Sequence, residues 1–251
     1  MNHPFKISVI TVVFQANAFI ERTLLSINKQ ENRKEIQLVI VDGGSTDETV
    51  DKARLFMNEN DIMISEPDEG IYDAMNKGLK LSMGEYVIFI NAGDELYDCT
   101  TLSRMLLSSE DADVYYGETA VVDDDGLIKG SRRLTPPRKL TWRSLQYGMC
   151  VSHQSILAKR DLCPQFNLKY KISSDIDWTI RLLKNCGNAF YYPGYVSKFL
   201  EGGVSSKRRM KGLSERWEIL NEHFGTSMNI INHCWIIVRF ITHLNTKKQW
   251  S

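Results

Sequence analysis

The chain has 251 residues, 43% of them hydrophobic and 25% charged, which suits one α/β domain or a nucleotide-binding core with a smaller appended part. Thirty-one basic residues balance thirty-one acidic ones, and the missing basic excess argues against a nucleic-acid partner. The five cysteines (Cys99, Cys150, Cys163, Cys186 and Cys234) contain no C-x-x-C pair, which argues against a disulfide framework or structural zinc and for a cytoplasmic setting.

Met1 runs directly into a strand-like segment without a basic and apolar leader, so no signal peptide is expected. No window approaches the roughly 18 uninterrupted apolar residues of a membrane span. Ile7 to Val13 is rich in β-branched residues and reads as a strand buried on both faces. Asn17 is placed to cap a helix carrying Ile20, Leu24 and Ile27. Ile36 to Val41 is a second strand, stopping at Asp42-Gly43-Gly44. Ser45 to Glu48 reads as a capping box for a helix striped by Val50, Ala53 and Met57. Ile62 to Ile64 is a short third strand, and Ile71, Ala74, Met75, Gly78 and Leu79 line the next helix. Tyr86 to Ile90 is a fourth strand, ending at Asn91-Ala92-Gly93-Asp94.

The second half is less regular. Val114 to Gly117 and Thr119 to Val122 read as strands, and Asp123 to Gly126 as a turn into a hairpin arm at Leu127 to Lys129. Ile176, Ile180 and Leu183 stripe a helix after Ser173-Ser174-Asp175, and Leu213, Trp217, Leu220 and Phe224 stripe another. Strands alternating with helices predict a mostly parallel sheet with right-handed crossovers, whose ligands bind beyond the carboxyl ends of the strands. Asp42, Glu66-Pro67-Asp68 and Asn91 to Asp94 all fall at such ends.

The chain lacks the glycine fingerprint of dinucleotide enzymes, the phosphate loop of P-loop NTPases and the nucleophile elbow of hydrolases. What remains is a nucleotide-like sheet edge lined with carboxylates. Carboxylates repel phosphates unless a divalent cation lies between them, and Mn²⁺ or Mg²⁺ meets that need.

The strings Thr11-Val12-Val13-Phe14, Val41 to Asp47, Ser65 to Gly78 and Asn91 to Asp94 resemble the family 2 glycosyltransferases, bacterial polysaccharide-biosynthesis type. The likeness is tight over residues 5 to 97 and looser over 145 to 210. It implies an α/β GT-A fold: a mostly parallel nucleotide-binding sheet flanked by helices, with a smaller C-terminal acceptor-side and helical part. The implied division is a glycosyltransferase domain over 1–205 (nucleotide-sugar half about 1–97, acceptor half about 98–205) and a helical extension over 206–251. The implied activity is inverting transfer of a sugar from a nucleotide diphosphate donor to a hydroxyl of a glycan or lipid-linked acceptor, in capsule, O-antigen or exopolysaccharide assembly. A nucleotidyltransferase or a non-catalytic nucleotide-sugar-binding module are the alternatives.

By the same resemblance, the donor-binding residues are Thr11, Phe14, Asp42, Asp68, Asn76, Lys77, Ala92 and Gly93. Asp42 stands where the family contacts uracil or ribose; an Asx turn holding Gly43-Gly44 is the plainer use of the same carboxylate. Asp94 matches the last acid of the family's metal motif. Asn91 and Gly93 replace the two Asp of a D-x-D, which leaves one carboxylate beside Asn91 for the cation. Met75 takes the place of an Arg in the relatives' Arg-Asn-x-Gly run. Asp175 resembles the general base; Asp177, two residues on, faces another way, so one of the two can be the base and the other a helix cap or an ion-pair partner for Arg181. His153 falls on the acceptor side, and Lys207 and Arg208 on a loop that closes over the diphosphate. Ile230 to Leu244, followed by Lys247-Lys248, is apolar on most faces and is expected to cover the core, form a homodimer contact or lie peripherally on the inner face of the cell membrane.

Overall fold

A computed structural model describes residues 3–202 and 209–236. Lys207 and Arg208, and residues 237–251 with the second half of the expected apolar C-terminal helix, lie outside the described residues. The core is a nine-stranded sheet ordered β3-β2-β1-β4-β8-β6-β9-β5, with β7 paired to β6. Its strands are β1 (Phe5–Val13), β2 (Ile36–Asp42), β3 (Ile62–Ser65), β4 (Gly84–Phe89), β5 (Glu95–Leu96), β6 (Val114–Val122), β7 (Ile128–Ser131), β8 (Ile156–Lys159) and β9 (Ala189–Leu200). The helices are α1 (Ile20–Asn28), α2 (Thr49–Arg54), α3 (Ile71–Leu81), α4 (Thr101–Leu107), α5 (Ser174–Asn185) and α6 (Arg209–Phe224), and residues 226–236 are also helical.

The first four strands pair in parallel, as their apolar runs predict. The second half mixes directions: β8 is antiparallel to both β4 and β6, while β6 and β9 run parallel. The two expected strands around Gly117 are one strand, β6. The sheet passes continuously from the expected nucleotide half into the acceptor half.

β1 is buried over its last seven residues. Ile7, Val9 and Val13 join the core under α1, while Ile10 and Val12 join the opposite core with Met75, Phe89, Phe166 and Trp178. This period-2 division is why the strand carries no polar face. Gly78 of α3 lies against Ile10, where any side chain would collide, so the helix can approach β1 closely. Because β2 and β4 flank β1, the chain order reverses at the β1–β4 gap. Such a reversal opens a crevice at the strand ends.

Three local expectations are corrected. Asn17 does not cap α1, whose N-cap is Phe19 without a side-chain bond. The Ser45–Glu48 run does not form a capping box on α2: Ser45 Oγ accepts the Gln15 amide at 2.8 Å, and Asp47 accepts the amides of Asn17 and Thr49 at 3.2 and 3.1 Å. These side chains instead tie the loop after β1 to the loop after β2. On α6, Leu213 and Trp217 are exposed, whereas Gly212, Glu215, Ile219 and Leu220 face inward. Glu215 turns the buried face because its carboxylate accepts the amides of Lys171, Ile172 and Ser173 at 3.0, 2.8 and 2.9 Å. A charge can be buried when several donors satisfy it.

Candidate active site

The polar residues collect where the parallel strands end. Asp42 closes β2 and is wholly buried. Its Oδ2 accepts the amides of Gly44 and Ser45 at 3.1 and 2.9 Å and the Ser65 hydroxyl at 2.6 Å. The Gly44 contact is the Asx turn. Its Oδ1 is buried with no partner among the described residues. The Thr11 hydroxyl, on neighbouring β1, is likewise buried without one. Buried acceptors are seldom left unpaired, so both atoms point to an arriving donor group.

Phe14, 63% exposed, stands just beyond β1. A methyl group at Gly43 would strike the Asp68 carboxylate and come within 3.4 Å of the Phe14 ring. Gly43, Asp68 and Phe14 therefore form one tight rim beside Asp42. Asp68 also accepts the Gly70 amide at 2.7 Å, which sets the turn into α3.

Two residues expected at the donor are committed elsewhere. The Asn76 side chain gives 3.0 Å to the Phe166 carbonyl and takes 2.7 Å from the Phe166 amide, which uses it as a clamp between α3 and the loop before α5. Lys77 pairs with Glu66 at 2.8 Å and Asp73 at 3.5 Å and donates to the Pro67 carbonyl; the Glu66 bond heads the causes that raise its pKa.

After β4, the 91–94 turn is fastened from α1: Thr23 Oγ1 donates to the Asp94 carbonyl at 2.7 Å and accepts the Gly93 amide at 2.9 Å. Gly93 has φ +100°, which a side chain resists. Ala92 is held by its amide to the Val12 carbonyl at 3.2 Å. The Asp94 carboxylate is 5% exposed, and each oxygen takes one bond, from Gln154 Nε2 at 2.9 Å and the Leu200 amide at 3.0 Å. Burial pushes its pKa up to about 6 against those two bonds.

Asn91 connects this turn to the other side of the crevice. Its Nδ2 is 3.4 Å from His153 Nε2, and His153 Nδ1 is 3.6 Å from Asp175 Oδ2. Asp175 sits in the first turn of α5, with Tyr72 Oη at 3.4 Å and its own helix's Ile176 amide at 3.0 Å on Oδ1. Burial disfavours its charge, but His153, Arg216 and the Ile176 amide outweigh it and hold the carboxyl below the usual carboxylate range. Asp177 is 3% exposed and spent on Arg181 at 2.7 Å and His223 at 2.8 Å. Asp175 is thus the acid of the pair that reaches His153, while Asp177 is turned to Arg181 and His223.

Gln154, Thr23, Tyr72 and Glu215 carry positioning roles that sequence reasoning missed. Adjacency to His153 was the one signal for Gln154; nothing in the sequence marked Glu215, whose partners lie more than forty positions away.

For a divalent cation, the test is the donor set. Asn91 Oδ1 is a buried acceptor without a partner among the described residues, and each Asp94 oxygen keeps a free lone pair beside its single bond. Ligating carboxylates are commonly hydrogen-bonded in this way. Among the described residues no three His, Cys, Asp or Glu side chains gather as a metal cluster. The pair fits a cation only when other ligands, such as phosphate oxygens, complete the shell.

The model of glycosyl transferase family 2 matches residues 8–163. A PGL/p-HBAD biosynthesis glycosyltransferase of Mycobacterium bovis is 32% identical over 216 residues, covering 82% of this chain and 78% of that protein. Among solved structures, S. aureus TarS 1-349 in complex with UDP-GlcNAc has a TM-score of 0.64 at 19% identity, covering 87% of this chain and 71% of that one; the match spans 42% of a longer TarS chain. The mannosyltransferase PcManGT from Pyrobaculum calidifontis, in complex with GDP-Man and Mn²⁺, has a TM-score of 0.66 at 16% identity, covering 94% and 72%. The sheet and helices match these GT-A glycosyltransferase structures. A carboxylate-lined strand edge, its motifs in family order and a relative matched along most of both chains lead to one assignment: this chain belongs to glycosyl transferase family 2 and is a glycosyltransferase.

Proposed function

We propose that the chain transfers a sugar from a nucleoside diphosphate donor to an acceptor hydroxyl with inversion at the anomeric carbon. The observation that carries this reading is the span from Asp94 and Asn91, through His153, to Asp175: a candidate phosphate-side carboxylate and a candidate base face each other across one crevice. Asp42 and Thr11 offer unpaired acceptors to the base or ribose, and Phe14 an open ring face beside Asp68. Gly93 and Ala92 bring bare backbone close to the diphosphate. The complexes of the two solved neighbours, with UDP-GlcNAc and GDP-Man, support a nucleotide-sugar donor.

In this mechanism Asp175, kept ionised by His153 and Arg216, takes the proton from the acceptor hydroxyl. The oxygen attacks the anomeric carbon from the face opposite the diphosphate, and one displacement gives inversion. Asp94 and Asn91 would hold Mn²⁺ or Mg²⁺, which supplies positive charge to the departing diphosphate when bound. Gln154 and the Leu200 amide fix the Asp94 carboxylate for that task. Lys207 and Arg208 are the proposed loop cations on the same leaving group. The proposed setting is assembly of a cell-envelope polysaccharide or glycolipid at the cytoplasmic face of the membrane. Exposed Ile230, Ile231 and Trp235 support peripheral attachment or a homodimer contact, and among the described residues no helix is long and apolar enough to cross a bilayer.

Asp175→Asn tests the base. It keeps shape and removes basicity, so nucleotide binding survives while transfer falls by about 10²-fold or more. An active Asp175→Asn beside an inactive but folded Asp177→Asn overturns the assignment.

A further inference from the structure

Between Gly130 and Cys150 the chain places Arg132, Arg133, Arg138, Lys139 and Arg143 without a single Asp or Glu, in a protein whose charges balance as a whole. Among the described residues none of the five forms an ion pair; Arg143 lies over the Trp142 ring at 5.1 Å. Several arginines elsewhere are neutralised, as Arg22 is by Glu95 at 2.8 Å and Arg181 by Asp177 at 2.7 Å. This segment frames a cavity of about 590 Å³, lined by Arg133, Leu134, Thr135, Ser144, Tyr147 and Cys150. A smaller recess adjoins it at Leu134, Thr135 and Cys150 and holds Arg132.

Arg132 ties the cavity to the chemistry. Burial lowers its pKa, and the charge of Asp175 acts on it in the opposite sense. Ser152, next to His153 in the chain, lines the same recess as Arg132, and His153 Nδ1 lies 3.6 Å from Asp175 Oδ2. Arg132 is partly exposed and shares its recess with Glu118 and Ser152 without an ion pair among the described residues, so its guanidinium keeps donors for an arriving anion.

We infer that this cavity and the recess beside it bind a phosphate group carried by the acceptor, with Arg133 of the cavity and Arg132 of the recess as its ligands. Guanidinium forks match phosphate oxygens, and the hydroxyls of Thr135 and Ser144 add donors. Leu134, Pro137 and Tyr147 offer apolar surface for a sugar ring or the first units of a lipid chain. The occupant is an acceptor of sugar-phosphate or lipid-phosphate type, held so that its free hydroxyl reaches Asp175. The inference rests on the assignment of Asp175 to the acceptor side.

Two probe pairs separate the sources of the phosphate: glucose 1-phosphate against glucose, and farnesyl diphosphate against farnesol. Each is titrated calorimetrically into the full chain with its nucleotide site saturated by UDP or GDP. In at least one pair the phosphorylated member binds about tenfold or more tighter than its neutral partner, and Arg132→Gln/Arg133→Gln erases that difference. Preference in the first pair alone names a free sugar phosphate; preference in the second alone names a lipid-linked one. Equal binding within both pairs, or a preference that survives in the double variant, overturns the inference. Arg133→Gln alone, at an exposed position, gives a smaller loss and guards against a folding defect of the double variant. Failure of both nucleotides to bind the wild-type chain instead contradicts the donor reading, and the probe pairs are then read on the free protein.

Discussion

Glu215→Ala is the substitution whose effect the structure sizes best. The carboxylate is 7% exposed and satisfies three consecutive amides just before α5. Truncation leaves the Ile172 and Ser173 amides buried and unpaired, at about 1–3 kcal/mol each, while the partly exposed Lys171 amide recovers water. The expected loss is about 3–5 kcal/mol. With a urea m-value of about 3 kcal/mol per molar, the unfolding midpoint drops by about 1 M or more. Glu215→Gln keeps one acceptor oxygen and turns an NH₂ toward one amide, so it falls about halfway between. Because the three amides lead directly into Asp175, the Gln variant also slows transfer while nucleotide affinity holds. Circular dichroism in urea at pH 7 reads the first effect. A midpoint shift below about 0.3 M for Glu215→Ala refutes the reasoning.

Three further expectations follow from the site. The folded chain holds the Asp94 proton more tightly than the unfolded chain, from 3.8 to about 6, so metal-free protein loses about 3 kcal/mol as pH rises from about 4 to about 6. Mn²⁺ stabilises increasingly across that window and Asp94→Asn removes the increase; equal stabilisation at pH 5 and pH 7 in thermal melts contradicts this. Gly43→Ala pushes the Asp68 carboxylate aside, a movable side-chain end, so nucleotide affinity falls by about tenfold while the melting temperature barely changes. Unchanged affinity by titration removes Asp68 from the donor rim. Full-length protein sediments with anionic vesicles at low salt and loses this on truncation after Asn229; folded protein that stays in the supernatant leaves packing or dimerisation as the role of Ile231 and Trp235.

What the sequence discloses depends on whether the partner is near in the chain or repeated along it. β1, β2 and β4 are continuous apolar runs because both faces are covered, and that pattern is legible without coordinates. The strand-end acids are legible for the same reason: they interrupt those runs. Asp175 and Asp177 look equivalent in the chain, and only the arrival of His223 and Arg181 on one and of His153 on the other separates them. Asn76 resembles a ligand residue until the Phe166 backbone, ninety positions away, takes both ends of its amide. The α6 stripe fails because periodicity counts apolar residues, and the group this helix buries most usefully is a carboxylate.

The residues at the strand ends are proposed to act in metal-assisted transfer from a nucleotide-sugar. The most direct test incubates the purified chain with a panel of UDP- and GDP-sugars and measures nucleoside diphosphate release with Mn²⁺ and with chelator. Release from at least one donor is expected, dependent on the cation and lost in Asp94→Ala. Undiminished release by Asp94→Ala in chelator, or no release from any donor by a folded chain that binds the nucleotides, contradicts the proposal.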